Sequence, residues 1–94
     1  MKSLQDAVYN WLTIEIVAKA RPEDKSAQET ADLFQAVLKE EFQADSIKYR
    51  KEGSMYTFSC MRGDEPYTVS FPSEMIEMLA NQISAEPSRY KNYE

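Results

Sequence analysis

The chain contains only two glycines, Gly53 and Gly63, and each lies between two runs of alternating apolar and polar residues. Each glycine opens a two-residue loop, Gly-Ser or Gly-Asp, of the kind that closes a tight β-hairpin with glycine at positive φ. Residues 46–71 are therefore predicted to form a three-stranded antiparallel meander. Pro66 lacks an N–H group, which suits the beginning of an edge strand.

The two loops predict registers that agree with each other. The first loop pairs Tyr49 with Phe58 and Ile47 with Cys60, and the second pairs Cys60 with Tyr67. Because side chains alternate between the two faces of a strand, both loops direct the same apolar set to one face. The predicted inner face consists of Ile47, Tyr49, Tyr56, Phe58, Cys60, Tyr67, Val69 and Phe71.

The opposite face of the predicted sheet is polar and carries two methionines. We interpret it as an interaction surface for a protein partner or for a second copy of the chain in a homodimer. An ordinary hydrated face is the alternative interpretation, and the edge strands offer strand addition as another route to association. The residues of this outer face are Lys48, Arg50, Met55, Thr57, Ser59, Met61, Thr68 and Ser70.

The sequence before the sheet predicts two helices. Apolar residues recur with helical spacing over residues 3–20, although the alternation in residues 11–17 leaves a strand there as an alternative. The capping-box pattern of Ser26 and Glu29 predicts that a second helix begins near Ala27.

A third helix is predicted after the sheet, with Ser73 as its N-cap and Glu74 and Glu77 in its first turn. Its predicted buried side consists of Met75, Ile76, Leu79, Ala80 and Ile83. The element order α-α-β-β-β-α indicates an α+β fold of two layers, with a three-stranded antiparallel meander covered by helices on one face. Residues 1–84 are expected to form a single domain, and residues 85–94 a polar, flexible C-terminal tail.

The order of one helix, a three-stranded antiparallel sheet and a further helix is similar to that of the double-stranded-RNA-binding domain. Those domains carry a lysine cluster at the beginning of the last helix, where it contacts phosphates. The matching positions here, residues 73–77, read Ser-Glu-Met-Ile-Glu and have the opposite charge. The resemblance therefore implies a shared topology and does not imply RNA binding.

The composition narrows the function classes. The absence of histidine removes Ser-His-Asp and Cys-His catalysis and most transition-metal sites. The net charge of −5, without a basic cluster, argues against a nucleic-acid partner. No apolar run approaches the roughly 20 residues that span a bilayer, so no membrane partner is expected. A single cysteine and the lack of a signal-peptide pattern predict a cytoplasmic location.

The remaining reactive groups are few. Cys60 is predicted to be a buried apolar side chain rather than a nucleophile. Glu15 and Glu41 fall within the apolar arcs of their helices, and with Tyr49 and Tyr56 they are the polar groups that a pocket between helices and sheet would use. No catalytic, cofactor-binding or metal-binding residue is assigned, and no cofactor is expected.

These observations predict a small acidic protein that is a non-enzymatic protein–protein interaction or regulatory module. The alternative is a small-molecule-binding or enzymatic domain with a pocket between the helices and the sheet.

Overall fold

The computed structural model describes residues 3–85, with side chains through Gln82. The three strands form one antiparallel sheet in the order β1-β2-β3, and the helices cover one of its faces. The predicted α+β order is thereby confirmed; residues 86–94 of the predicted tail lie outside the described residues. The elements are α1 (Leu4–Ala20), α2 (Lys25–Phe42), β1 (Ala44–Glu52), β2 (Met55–Arg62), β3 (Glu65–Pro72) and α3 (Ser73–Ala85).

Helix α1 is continuous, so the alternative of a strand over residues 11–17 is wrong. It begins after Ser3, whose side-chain oxygen accepts a hydrogen bond of 3.1 Å from the backbone N–H of Asp6. It packs against α2, α3 and the sheet, and Leu12 and Val17 are buried on different sides of it. A helix enclosed on several sides is apolar around much of its circumference, which explains the strand-like alternation in its sequence.

Helix α2 begins two residues earlier than the sequence predicts, because Asp24 rather than Ser26 is its N-cap. The Asp24 carboxylate accepts a 3.1 Å hydrogen bond from the backbone N–H of Ala27, and its other oxygen lies 3.4 Å from Arg21 Nε. Aspartate and serine cap helices equally well. The link between the helices spans only residues 21–24, and it presents Asp24 at the helix end.

The two hairpins form at Gly53 and Gly63, with φ of 60° and 65°. Between β2 and β3 every predicted pair is present. Between β1 and β2 the pairs next to the turn are also as predicted, Tyr49 with Phe58 among them.

Farther from the turn, β1 departs from the predicted register through a β-bulge. Lys48 lies opposite Ser59, but the next pair is Asp45 with Met61, so that residues 46–47 together face Cys60. Ser46 has a positive φ of 51° at this point. The regular pairing predicted for Ile47 is therefore wrong.

The bulge explains how two residues of β1 that are three positions apart can both face the core. Ala44 is buried and Ile47 packs against the same core, although the two residues are three positions apart. A regular strand would place them on opposite faces. One extra residue brings both to the inner face and leaves the Asp45 carboxylate on the outside.

The core is built where the inner face of the sheet meets α1. Phe58 is fully buried, and the Trp11 ring packs edge-on against Phe58 and Tyr49 with centroid separations of 5.8 and 5.6 Å. Tyr9 contacts Phe71 at 5.7 Å. Such aromatic pairs add about 0.5–1.5 kcal/mol each beyond the burial of their area.

Helix α3 buries a narrower side than the sequence predicts. Ile76 and Ala80 are buried, but Met75 and Leu79 are 44% and 36% exposed, so the prediction that both are buried is wrong. The helix packs on α1 and on the adjacent ends of β2 and β3, and Met75, Met78 and Leu79 stay exposed on another side. Ser73, predicted as the N-cap, is the first residue of α3, and its backbone N–H donates to the Ser54 carbonyl at 2.8 Å.

Candidate functional site

None of the three helices within residues 3–85 covers the outer face of the sheet. Alternation brings its side chains into rows across the strands, with Thr57 and Ser59 of β2 at the centre. The central side chains are half-buried by their neighbours, and those on the flanking strands are exposed. The structure places all eight predicted residues on this face: Lys48, Arg50, Met55, Thr57, Ser59, Met61, Thr68 and Ser70.

Hydroxyl groups occupy the middle of the outer face. One row contains Arg50, Thr57 and Ser70, and the Oγ1 of Thr57 lies 3.1 Å from the Oγ of Ser70. Hydroxyls both donate and accept hydrogen bonds. This centre can therefore bond a partner's polar groups without a buried charge.

Apolar side chains stand at both ends of the face. Met55 lies opposite Pro72, and Met61 lies opposite Pro66. Methionine adapts its shape to the surface that it meets. The face thus combines a polar centre with two deformable apolar ends.

Two acidic residues of the outer face were missed by the sequence prediction. Glu52 is two residues beyond Arg50 and therefore lies on the same face of β1, so alternation alone would have found it. Its carboxylate lies 3.0 Å from the Arg50 guanidinium. Asp45 reaches this face only through the bulge. Both groups of the Arg50–Glu52 pair are exposed, so the pair adds little stability. Together, Asp45 and Glu52 balance the positive charges of Lys48 and Arg50.

Edge strand β3 is poorly suited to strand addition. Successive backbone N–H groups point to opposite edges of a strand. The nitrogens of Pro66, Thr68, Ser70 and Pro72 therefore all point to the same edge of β3. Prolines in edge strands turn their nitrogen toward solvent. Two prolines therefore bracket the short free edge of β3, which limits pairing with another chain.

The four polar groups proposed for a pocket between helices and sheet do not converge. The Tyr49 hydroxyl donates a 3.3 Å hydrogen bond to Glu15 Oε2, and burial, reinforced by the Glu15 charge, raises the pKa of Tyr49 to about 12. Glu41 is exposed near the far end of α2. Glu15 lines the same surface depression as Asp32, which lies in the first half of α2. Asp32 and Glu41 are nine residues apart along α2, a distance of about 13 Å.

Tyr56 instead pairs with Glu77, which the sequence indicated only as a first-turn acid. Its hydroxyl donates to Glu77 Oε2 at 2.6 Å, and Lys51 Nζ lies 2.9 Å from the same oxygen. The hydrogen bonds from Tyr56 and Lys51 lower the pKa of Glu77. Burial, together with Glu77, raises the pKa of Tyr56 to about 12. Both shifts hold the groups in their ordinary protonation states at neutral pH, which suits a structural tie better than proton transfer.

Cys60 is 4% exposed, on the inner face of the sheet. Burial raises the pKa of its thiol, which the positive charge of Arg62 only partly offsets. A thiol of this kind is a weak nucleophile at neutral pH.

The surface of the helical hairpin carries a shallow depression of about 340 Å³, with Glu15, Lys19, Gln28 and Asp32 on its rim. Of these rim groups, Glu15 already accepts the hydrogen bond from Tyr49. Within residues 3–85, no group of three or more potential ligands is arranged to hold a metal ion. Over the same range, none of the helices combines the length and apolar character that crossing a bilayer requires.

No protein-family model, curated protein or solved structure matches this chain. The assignment of a site therefore depends on the geometry and chemistry of the residues themselves.

Proposed function

We propose that the protein is a non-enzymatic interaction module whose outer sheet face binds a second copy of the chain. The observation that carries this proposal is the uncovered face itself, with hydroxyls at its centre and methionines at its ends. A cytoplasmic setting forms part of the proposal, because the single thiol has no partner within the chain for a disulfide.

The distribution of charge on the face favours a twofold arrangement. All four charged side chains of the face belong to β1: Asp45, Lys48, Arg50 and Glu52. The outward positions of β2 and β3 are uncharged. A twofold axis between two stacked sheets and parallel to β2 places β1 of one copy over β3 of the other. Each charged strand then faces hydroxyls and prolines, and no like charges are opposed.

The size of the face sets the expected strength of the contact. Eight residues at about 3.3 Å and three strands at about 4.8 Å give a footprint of roughly 380 Å² on each copy. A stable interface of standard size buries about 800 Å² on each partner. The sheet faces alone therefore support a transient dimer, with a Kd of about 10 μM to 1 mM.

The proposal is tested by sedimentation equilibrium from about 20 μM to 1 mM. The mean mass is expected to rise toward twice 10.9 kDa, and Thr57→Asp or Met61→Asp is expected to hold it at the monomer value by placing a charge in the interface. Leu33→Asp adds the same charge to an exposed position on α2 and is the matched control. A wild-type chain that stays monomeric throughout, or dimers that survive both sheet-face substitutions, would remove the proposed interface.

A further inference from the structure

Helix α3 exposes a stripe of large apolar side chains. Met75, Met78 and Leu79 are 44%, 53% and 36% exposed, and their spacing of i, i+3 and i+4 places them on one side of the helix. Ile76 and Ala80, on another side, supply the contacts with the core. The α3 stripe, meaning these three residues, is therefore available to another molecule. An apolar stripe at this spacing is the surface on which two helices pack against each other.

The layer that carries the stripe is acidic, whereas the sheet is neutral. The three helices contain eight acidic and three basic residues, and residues 44–72 contain four of each. Helix α3 has no basic residue between Ser73 and Ala85. Of its two acids, Glu77 is paired with Lys51, whereas Glu74, next to Met75, forms no ion pair with the residues that the structure describes. A partner that packs on the stripe meets this negative field, so like-charged surfaces are repelled and cationic ones attracted.

From this combination we infer that the α3 stripe binds a basic amphipathic helix of another protein. The apolar side of that helix packs on Met75, Met78 and Leu79, and its lysines or arginines lie toward the acidic helical layer. A second copy of this chain is a poor occupant, because two acidic layers would face each other. Methionines suit the role, since their flexible side chains fit helices of differing shape. The stripe belongs to the helical layer and shares no residue with the outer sheet face, so the inference does not depend on dimerisation there.

The direct test uses a fluorescein-labelled 18-residue peptide of leucine and lysine, with leucines at helical spacing, and measures its anisotropy against the full chain. A second peptide with glutamate in place of lysine controls for charge. The lysine peptide is expected to bind at least tenfold more tightly than the glutamate peptide. Its affinity is expected to fall as salt rises, because the attraction is partly electrostatic.

Substitutions then locate the binding site. The double variant Met75→Gln and Met78→Gln removes apolar surface without changing charge or helix propensity, and it is expected to weaken the lysine peptide about tenfold or more. Leu33→Gln, at a 62% exposed position on α2, is the matched control and is expected to leave the affinity unchanged. Circular dichroism checks that both variants fold. Equal affinities for wild type and the methionine variant, an equal loss in the Leu33 variant, or no binding by wild type up to about 100 μM would each overturn the inference.

Discussion

The hydroxyl of Tyr56 donates a 2.6 Å hydrogen bond to Glu77 and so ties the central strand of the sheet to α3. The bond joins the second residue of β2, just after the first turn of the meander, to the fifth residue of α3. The acceptor is a carboxylate that also receives Lys51. Hydrogen bonds to a charged group contribute more to stability than neutral ones.

Tyr56→Phe is expected to lower the free energy of unfolding at pH 7 by about 1–2 kcal/mol, measured by urea denaturation. The folded-state pKa of Glu77 is lowered, so its contribution is present above the carboxyl's ordinary pKa and is lost as pH falls through the folded value. The difference between wild type and variant should therefore shrink in acid. Tyr49→Phe, which removes a longer bond of 3.3 Å, is the control and should cost less. A Tyr56 effect that stays constant down to pH 2 would contradict this account.

Tyr49 and Tyr56 are expected to ionise late in an alkaline titration followed by absorbance at 295 nm. Burial and the neighbouring carboxylates raise the pKa of each to about 12. A tyrosine whose folded pKa exceeds its unfolded value stabilises the fold below about pH 10, and this stabilisation is lost between pH 10 and about 12. Of the six tyrosines, Tyr49 and Tyr56 should thus be among the last to titrate, or should titrate together with unfolding, and each Phe variant should remove part of this late step. Burial also raises the pKa of Tyr67. Complete ionisation of the native chain by pH 11 would rule out the raised values.

Gln43→Gly is expected to stabilise the protein by about 0.5–1 kcal/mol. Gln43 ends α2 in the left-handed region with φ of 54°, where a side chain is strained and glycine is not. Gln35→Gly in the same helix is the matched control and should destabilise by about 0.5–1 kcal/mol. Thermal and urea unfolding measure both, and a loss of stability at both positions would show that the left-handed cap is not strained.

Cys60 is expected to react slowly with a thiol reagent such as dithiobis-nitrobenzoate, at a rate that rises when urea opens the structure. The reason is its burial on the inner face, which also raises the pKa of its thiol. Ser59→Cys in a Cys60→Ser background places the thiol one residue away on the outer face and should react rapidly. Fast labelling of native Cys60 would mean that the inner face is open to solvent.

The meander could be predicted from sequence because its determinants are local. Each glycine fixes a turn, each turn fixes a register, and alternation assigns side chains such as Phe58 and Thr57 to opposite faces. The eight residues of the outer face follow from these rules. The sequence therefore identified the candidate surface before its neighbours were known.

The features that escaped prediction depend on tertiary contacts. Asp24 and Ser26 are equivalent caps by composition, and the path of the short link selects Asp24. Met75 and Ile76 are neighbours in the apolar arc of α3, and the position of α3 on α1 decides which of them is buried. The Tyr56–Glu77 bond joins residues 21 positions apart, and no sequence pattern encodes such a pair.

The bulge at Ser46 determines which deletions β1 can accept. Removing Ser46 alone would remove the extra residue and leave a regular strand in which Ala44 and Ile47, then two positions apart, still face the core. Removing Ser46 and Ile47 together would exchange the faces of Ala44 and Asp45, with the methyl group outside and the carboxylate in the core. A homologous chain that is one residue shorter between positions 43 and 47 should therefore keep the same order of apolar and acidic residues and pair regularly. A gap of one residue at this point in an alignment would identify the bulge without any coordinates.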